Sequence, residues 1–289
     1  MIKILVTGAE GQLGSSIKLI SGKYRDFCFD YTDIKELDIC DADSVERYIQ
    51  LSRPDYIVNC AAYTNVDRAE SEPDICYQLN AEAVRNLRDA ARQIDAGIIH
   101  LSTDYVFSGK QERPYEESDP TGPESIYGKS KLMGEGYLEN YANSIIIRTS
   151  WLYSQFGKNF VKTIIRKGKE NDILEVVSDQ KGTPTYASDL AGAILSIIDH
   201  TRSRDNSLLS SIYHYSNLGE ASWFEFAREI IRLSGLKCQV IPITTADLNA
   251  PAPRPGNSVL DKKQICQTFD LQIPHWRDSL SECIAGMKL

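Results

Sequence analysis

Residues 7–14 read Thr-Gly-Ala-Glu-Gly-Gln-Leu-Gly, directly after the apolar run Ile-Lys-Ile-Leu-Val at 2–6. The glycines Gly8, Gly11 and Gly14 follow Gly-x-x-Gly-x-x-Gly spacing. Residues 2–6 predict a buried strand, and residues 12–21 a helix. A glycine at the strand exit makes the tight turn. A second lets backbone approach a pyrophosphate, and a third lets the helix pack closely on the sheet. The helix N-terminus attracts the phosphates. An ordinary turn before a small-residue helix would look similar. The position between a buried strand and a helix favours a dinucleotide loop.

The same rhythm continues outward. Strands are expected at 27–31, 56–60, 97–101 and 145–148, and helices at 43–51 and 74–95, with Asp41 or Asp43 as an N-cap. Apolar, β-branched strands alternating with helices predict an α/β fold. It is a Rossmann-like, doubly wound parallel sheet covered on both faces. After about Thr149 prolines accumulate (Pro184, Pro242, Pro251, Pro253, Pro255), although 187–199 and 223–234 still read as helices. Two units are expected. Residues 1–150 form a dinucleotide-binding domain. Residues 151–289 are mostly a smaller C-terminal substrate-binding lobe, with some elements returning to the first domain.

The 289 residues carry a net charge of −8 and no basic block, which argues against nucleic acid or an anionic membrane as partner. No apolar run nears the ~20 residues that span a bilayer. The first strand runs straight into the glycine loop, so no leader is expected. Seven dispersed cysteines without a Cys-x-x-Cys pair fit reduced thiols and a cytoplasmic location. The four histidines lie far apart, with no metal-ligand spacing.

Past the second strand lie Asp30, Asp33 and Asp38. A carboxylate about 20 residues beyond the loop can hold an adenosine ribose hydroxyl. Asp33 has the best spacing, and Asp38 reaches toward the adenine edge. No arginine follows the last glycine to meet a 2′-phosphate, although Lys35 is available. NADPH and NADH both remain open.

The fourth strand ends Ser102-Thr103-Asp104-Tyr105-Val106-Phe107. Strand carboxyl ends face the ligand crevice in such sheets, so Thr103 offers a hydroxyl there. Tyr127 and Lys131 stand at i, i+4, on one face of a helix. A phenol of pKa ~10 is a poor acid–base near neutrality. A nearby ammonium is expected to bring it down.

These residues resemble the extended short-chain dehydrogenase/reductases and, within them, the dTDP-4-dehydrorhamnose reductase family. The likeness spans nearly the whole chain: Arg53 to Asp67, Ala69 to Pro73, Ser102 to Phe107, Tyr127 to Leu132, Arg148-Thr149-Ser150-Trp151, Gly182 to Thr185 and Arg254 to Ser258. The resemblance implies that Gly11, Gln12 and Leu13 wrap the dinucleotide. Asp33, Asp38 and Ile39 would hold adenosine, and Ala62, Tyr63 and Thr64 would line the cofactor. It implies Thr103 and Asp104 as contacts of a dTDP-4-keto-6-deoxyhexose, Trp151 beside the hexose, and Tyr127 and Lys131 as the catalytic pair. The expected reaction is NAD(P)H-dependent reduction of a C4 ketone, closing dTDP-L-rhamnose synthesis for a polysaccharide. An indole face suits a deoxyhexose, and the Arg254 guanidinium suits the diphosphate.

Some members of the family dimerise through magnesium held by acidic side chains. Ser16 and Ser188 stand at the matching places here. A hydroxyl is a poor replacement for a carboxylate around a hard cation. A monomer, or a homodimer without a metal bridge, is expected, and Mg²⁺ is doubted. A dehydratase is disfavoured because Tyr105 stands where its glutamate would be. A 4-ketoreductase for another nucleotide deoxysugar, or a regulatory subunit that kept the fold, is the alternative.

Overall fold

A computed structural model describes residues 1–201 and 211–287. The first half runs β1 (Ile2–Thr7), α1 (Gln12–Ile20), β2 (Phe27–Thr32), α2 (Ala42–Ser52) and β3 (Tyr56–Asn59). It continues α3 (Val66–Ala69), α4 (Pro73–Tyr77), α5 (Ala83–Ile94), β4 (Gly97–Thr103), α6 (Ile126–Leu138) and β5 (Ser144–Thr149). Then come β6 (Leu152–Tyr153), α7 (Phe160–Glu170), β7 (Ile173–Val177), β8 (Lys181–Gly182), β9 (Thr185–Tyr186) and α8 (Ala187–Thr201). The chain ends with β10 (Ser211–His214), β11 (Ala221–Ser222), α9 (Trp223–Leu233), β12 (Gln239–Ile243), α10 (Thr245–Leu248), α11 (Lys263–Phe269) and α12 (Trp276–Ala285).

Six strands form one parallel sheet in the order β10-β5-β4-β3-β1-β2. Strand side chains alternate between its faces. Ile4, Val6, Val58, Ile99, Ile145 and Ile147 pack with Ile17 of α1, Leu190 to Ile198 of α8 and Phe269 of α11. Leu5, Ile57, Ile98 and Ile146 face the other way, onto Val45 and Ile49 of α2, Leu87 and Ala91 of α5 and Leu138 of α6. Both faces are covered, so the central strands are mostly apolar, with polar residues gathered toward their carboxyl ends. Strand order reverses between β1 and β3, and the crevice opens at their carboxyl ends.

Three elements beyond residue 150, β10, α8 and α11, belong to this sheet and its covering layer. β10 adds the strand beside β5, and α8 packs on α1. A separate apolar cluster holds the second lobe, with Val161 and Ile164 of α7, Phe226 and Ile230 of α9, and Trp276 and Leu280 of α12.

Asp41, not Asp43, caps α2 and accepts the amides of Asp43 and Ser44. The single helix expected over 74–95 begins at Pro73 and is interrupted by a π-helical stretch, Gln78–Glu82. There Asn80 turns to take the Tyr63 amide at 2.8 Å and to give to the Tyr63 carbonyl at 3.0 Å. A Cβ on Gly134 would collide with the Asn80 carbonyl oxygen, so α6 packs directly on the widened turn.

Candidate active site

The crevice holds a cavity of about 530 Å³. Its wall includes Gly8, Gly11, Asp33, Asp38, Ile39 and Ala62, all expected from the sequence. Gly8 has φ +62°, and a Cβ there would stand 2.7 Å from the Ala61 backbone. A Cβ on Gly14 would lie 2.5 Å from Ala9 Cα. The loop thus threads between two backbones as only glycine can. α1 begins at Gly11 with no capping side chain and no acidic residue in its first turn. Its leading N–H groups are available to an anion, which fits a dinucleotide pyrophosphate.

Asp33 accepts the amides of Glu10 and Ile34, each at 2.9 Å, which ties the acidic loop to the glycine loop. Asp38 accepts the Cys40 amide at 2.9 Å. Leu13 and Gln12 are not part of this wall. The Leu13 side chain is buried in the sheet core. Gln12 reaches the second lobe, where it accepts from Ser154 at 3.1 Å and Asn159 at 3.0 Å and donates to the Leu152 carbonyl at 3.3 Å. Their expected part falls to backbone N–H groups. Tyr63 donates its hydroxyl to Glu72 at 2.7 Å, and Thr64 is exposed; neither lines this cavity. The sequence reading missed Ile34, Ile75 and Leu79 on the wall. Only the fold reveals them, as large apolar side chains left open to solvent at Ile34 and Ile75.

Thr103, at the end of β4, is buried. It donates to Asp104 Oδ1 at 3.1 Å and accepts the Tyr105 amide at 3.3 Å. The Tyr127 phenol, in the first turn of α6, stands near Thr103, whose hydroxyl pulls its pKa down. That approach depends on Gly128, where a Cβ would collide with the Tyr105 carbonyl oxygen. A glycine in a helix costs about 1 kcal/mol against alanine, so its presence one residue after Tyr127 was a legible sign of close packing.

Lys131 is buried one turn further on, its Nζ donating to the Leu101 carbonyl at 2.6 Å. Burial pulls its pKa down to about 8, with Glu135 opposing. Burial pushes Tyr127 above its usual value and Thr103 pulls part of the way back, so the phenol moves opposite to the lowering expected from the sequence. The amine is committed to Leu101 rather than to the phenol. Burial also raises Asp104 to about 6.

Beneath this centre Glu135 and Arg148 form a buried ion pair at 2.7 Å, and Ser102 donates to Glu135 at 2.5 Å. The pair joins α6 to β4 and β5 and was not expected from the sequence.

A second cavity of about 910 Å³ lies between Tyr105 and the second lobe, with Phe160, Leu174, Gln180, Trp223 and Arg254 on its wall. Arg254 is paired with Asp67 at 2.8 Å and is neither fully exposed nor idle. Trp151 has φ +49° and stacks on Trp223 with ring centroids 3.5 Å apart. One indole face is therefore covered, and Trp223, not Trp151, lines the cavity.

Ser16 spends its hydroxyl on the Gln12 carbonyl at 2.8 Å. Among the described residues no group of three His, Cys, Asp or Glu side chains is placed to hold a metal, and no helix is long and apolar enough to cross a membrane.

The chain is 40% identical over 285 residues to the spore coat polysaccharide biosynthesis protein SpsK of Bacillus subtilis, covering 98% of this chain and 96% of that one. It is 38% identical over 293 residues to a dTDP-4-dehydrorhamnose reductase of Sinorhizobium fredii, covering 100% and 98%. The crystal structure of the dTDP-4-dehydrorhamnose reductase of Bacillus anthracis in complex with NADP superposes with a TM-score of 0.92 at 39% identity, covering 99% of each chain. The profile of the RmlD substrate binding domain matches residues 2–289, and with the shared fold and glycine cleft this places the chain in the RmlD substrate-binding domain family.

Proposed function

We propose that this protein reduces the C4 ketone of dTDP-4-dehydro-L-rhamnose to dTDP-L-rhamnose with NADPH or NADH, the last step of that synthesis. The observation that carries this reading is that Tyr127 and Thr103 stand together at the carboxyl edge of the sheet, with the glycine turn two strands away. The reductase relatives at 38% and 39% identity support it.

A bound nicotinamide supplies the hydride. The protein supplies position and a proton. The N-terminus of α1 receives the pyrophosphate, and Asp33, Asp38 and Ile39 receive adenosine. As negative charge develops on the carbonyl oxygen, Tyr127 donates its phenolic proton to it. Thr103 gives the same oxygen a hydrogen bond after releasing Asp104. Lys131 reaches the ribose and offsets the phenolate left behind. The phenol starts above its usual pKa, so it holds its proton until the substrate oxygen becomes more basic than a ketone. Arg254 and Trp223, with Trp151 behind, form the sugar-nucleotide side, and Asp104 orients the hexose. In this reading residues 1–150 bind the dinucleotide and 151–289 mostly the substrate, in the cytoplasm.

The test is absorbance at the nicotinamide band with dTDP-4-keto-6-deoxy-L-mannose and each cofactor, followed by NMR of the product. Ketone-dependent loss of the reduced cofactor with formation of dTDP-L-rhamnose is expected. A different product stereochemistry, or no turnover with either cofactor, overturns the reading. The proposed assembly is a monomer or a homodimer without a metal bridge. Its mass by light scattering is expected to be the same with and without a chelator, and a fall on chelation refutes it.

A further inference from the structure

Arg254 lies on a loop that the second lobe does not hold alone. Gly109, after β4 and at φ +74°, lets that loop press against the first domain, because a Cβ there would collide with Pro255. Asn257 donates its amide to the Gly109 carbonyl at 3.0 Å and its Nδ2 to the Gln111 carbonyl at 2.8 Å. The side chain is fixed from the same side. Asp67, on α3, takes Arg254 Nη2 on Oδ2 at 2.8 Å and the Ala252 amide on Oδ1 at 3.3 Å. The Ala252 carbonyl accepts Arg254 Nη1 at 3.0 Å. One carboxylate thus closes a ring through the side chain and backbone of one loop. These contacts use two of the guanidinium's N–H donors and leave others for an anion.

α3 is in turn keyed to the helix that carries Tyr127. Glu70, the residue after α3, accepts the Ile126 amide that opens α6 at 2.8 Å. Tyr105 meets Tyr127 edge-on, with ring centroids 5.5 Å apart, and shares the wall of the larger cavity with Arg254.

We propose that Asp67 is a positioning residue that holds the Arg254 guanidinium at a fixed station relative to Tyr127, ready to receive the diphosphate of a sugar nucleotide. The choice of ligand rests on the reductase reading. A free arginine samples many rotamers, and ordering it on binding costs affinity. Asp67 and Ala252 impose that order beforehand. The carboxylate also carries a charge that repels a diphosphate. Its side chain is 41% exposed, so water and salt screen the repulsion while the orientation is kept. Arg254 holds the Asp67 carboxyl below its usual range, so the ring persists through neutral pH.

The test is calorimetric titration of the full chain with dTDP at about 0.15 M salt. Asp67→Asn keeps the shape but turns an amide N–H toward one of the two donors, so the ring opens. It is expected to weaken dTDP binding about tenfold. Asp67→Ala takes its place should the asparagine variant not fold. On an Arg254→Ala background the same change is expected to alter affinity by less than about twofold, because the side chain it orders is gone. In turnover of the ketone the loss is expected in KM rather than kcat. Unchanged or tighter dTDP binding in the folded variant overturns the proposal. An equal loss on the Arg254→Ala background, or a wild type that binds no dTDP, overturns it too. A wild type that binds dTDP but reduces no ketone refutes the reductase reading alone, and the titrations still judge Asp67.

Discussion

In the proposed reaction Tyr127 donates its proton as the substrate oxygen becomes able to take it. Its phenol is buried beside Thr103, and burial raises its pKa. Replacing it with phenylalanine removes the proton but hardly changes the volume. We expect Tyr127→Phe to lower kcat by about 10²–10⁴-fold. NADPH affinity, followed by nucleotide fluorescence, stays within a factor of a few. A fully active Tyr127→Phe would sink the mechanism. Full cofactor binding with no wild-type turnover would point instead to a regulatory chain. The tyrosine and lysine were legible as a pair because i, i+4 spacing is local. Their protonation was not, since burial sets it and depends on how deeply α6 is covered by the rest of the fold.

α6 is held in place by its small residues and one ion pair. Gly128 and Gly134 let it touch backbone on two sides. Glu135 and Arg148, both nearly inaccessible, tie it to β5. Removing one partner leaves a buried charge alone, whereas removing both does not. Arg148→Met is therefore expected to cost about 3–5 kcal/mol, and Glu135→Leu with Arg148→Met much less than the sum of the two single changes. Urea denaturation of the four proteins measures this; additive losses would show that the pair does not couple. α6 itself could be anticipated around Tyr127 and Lys131, but its anchor could not. Glu135 and Arg148 sit 13 positions apart, on a helix and a strand whose packing only the fold sets.

The folded molecule also holds His214 uncharged. Burial and Arg148 push its pKa down to about 3, well under the ordinary 6.5. Above pH 6.5 neither folded nor unfolded chain binds that proton, and the stability is complete. As pH falls below 6.5 the unfolded chain gains a proton that the fold refuses. Stability then drops by about 1.4 kcal/mol per pH unit until the folded value is reached. Asp104, raised to about 6, works against this, because the fold takes its proton before the unfolded chain does. Comparison with His214→Gln isolates the histidine. Between pH 7 and 5 the wild type is expected to lose about 2 kcal/mol more than the variant, by urea unfolding at each pH. Equal losses would mean that His214 is protonated in the fold.

The strand–helix order through residue 149, the glycine loop and the Thr103, Tyr127 and Lys131 constellation were all readable from the chain. Each rests on neighbours a few positions apart, where periodicity and spacing carry the information. Other features required distant segments to meet. β10 pairs with β5 across more than 60 residues, and α8 returns to cover α1. Gln12 leaves the phosphate loop for Ser154 and Asn159, and Trp223 covers one face of Trp151. Burial and hydrogen-bond partners are properties of the packed whole, so the charge state of the reaction centre is settled there and nowhere earlier.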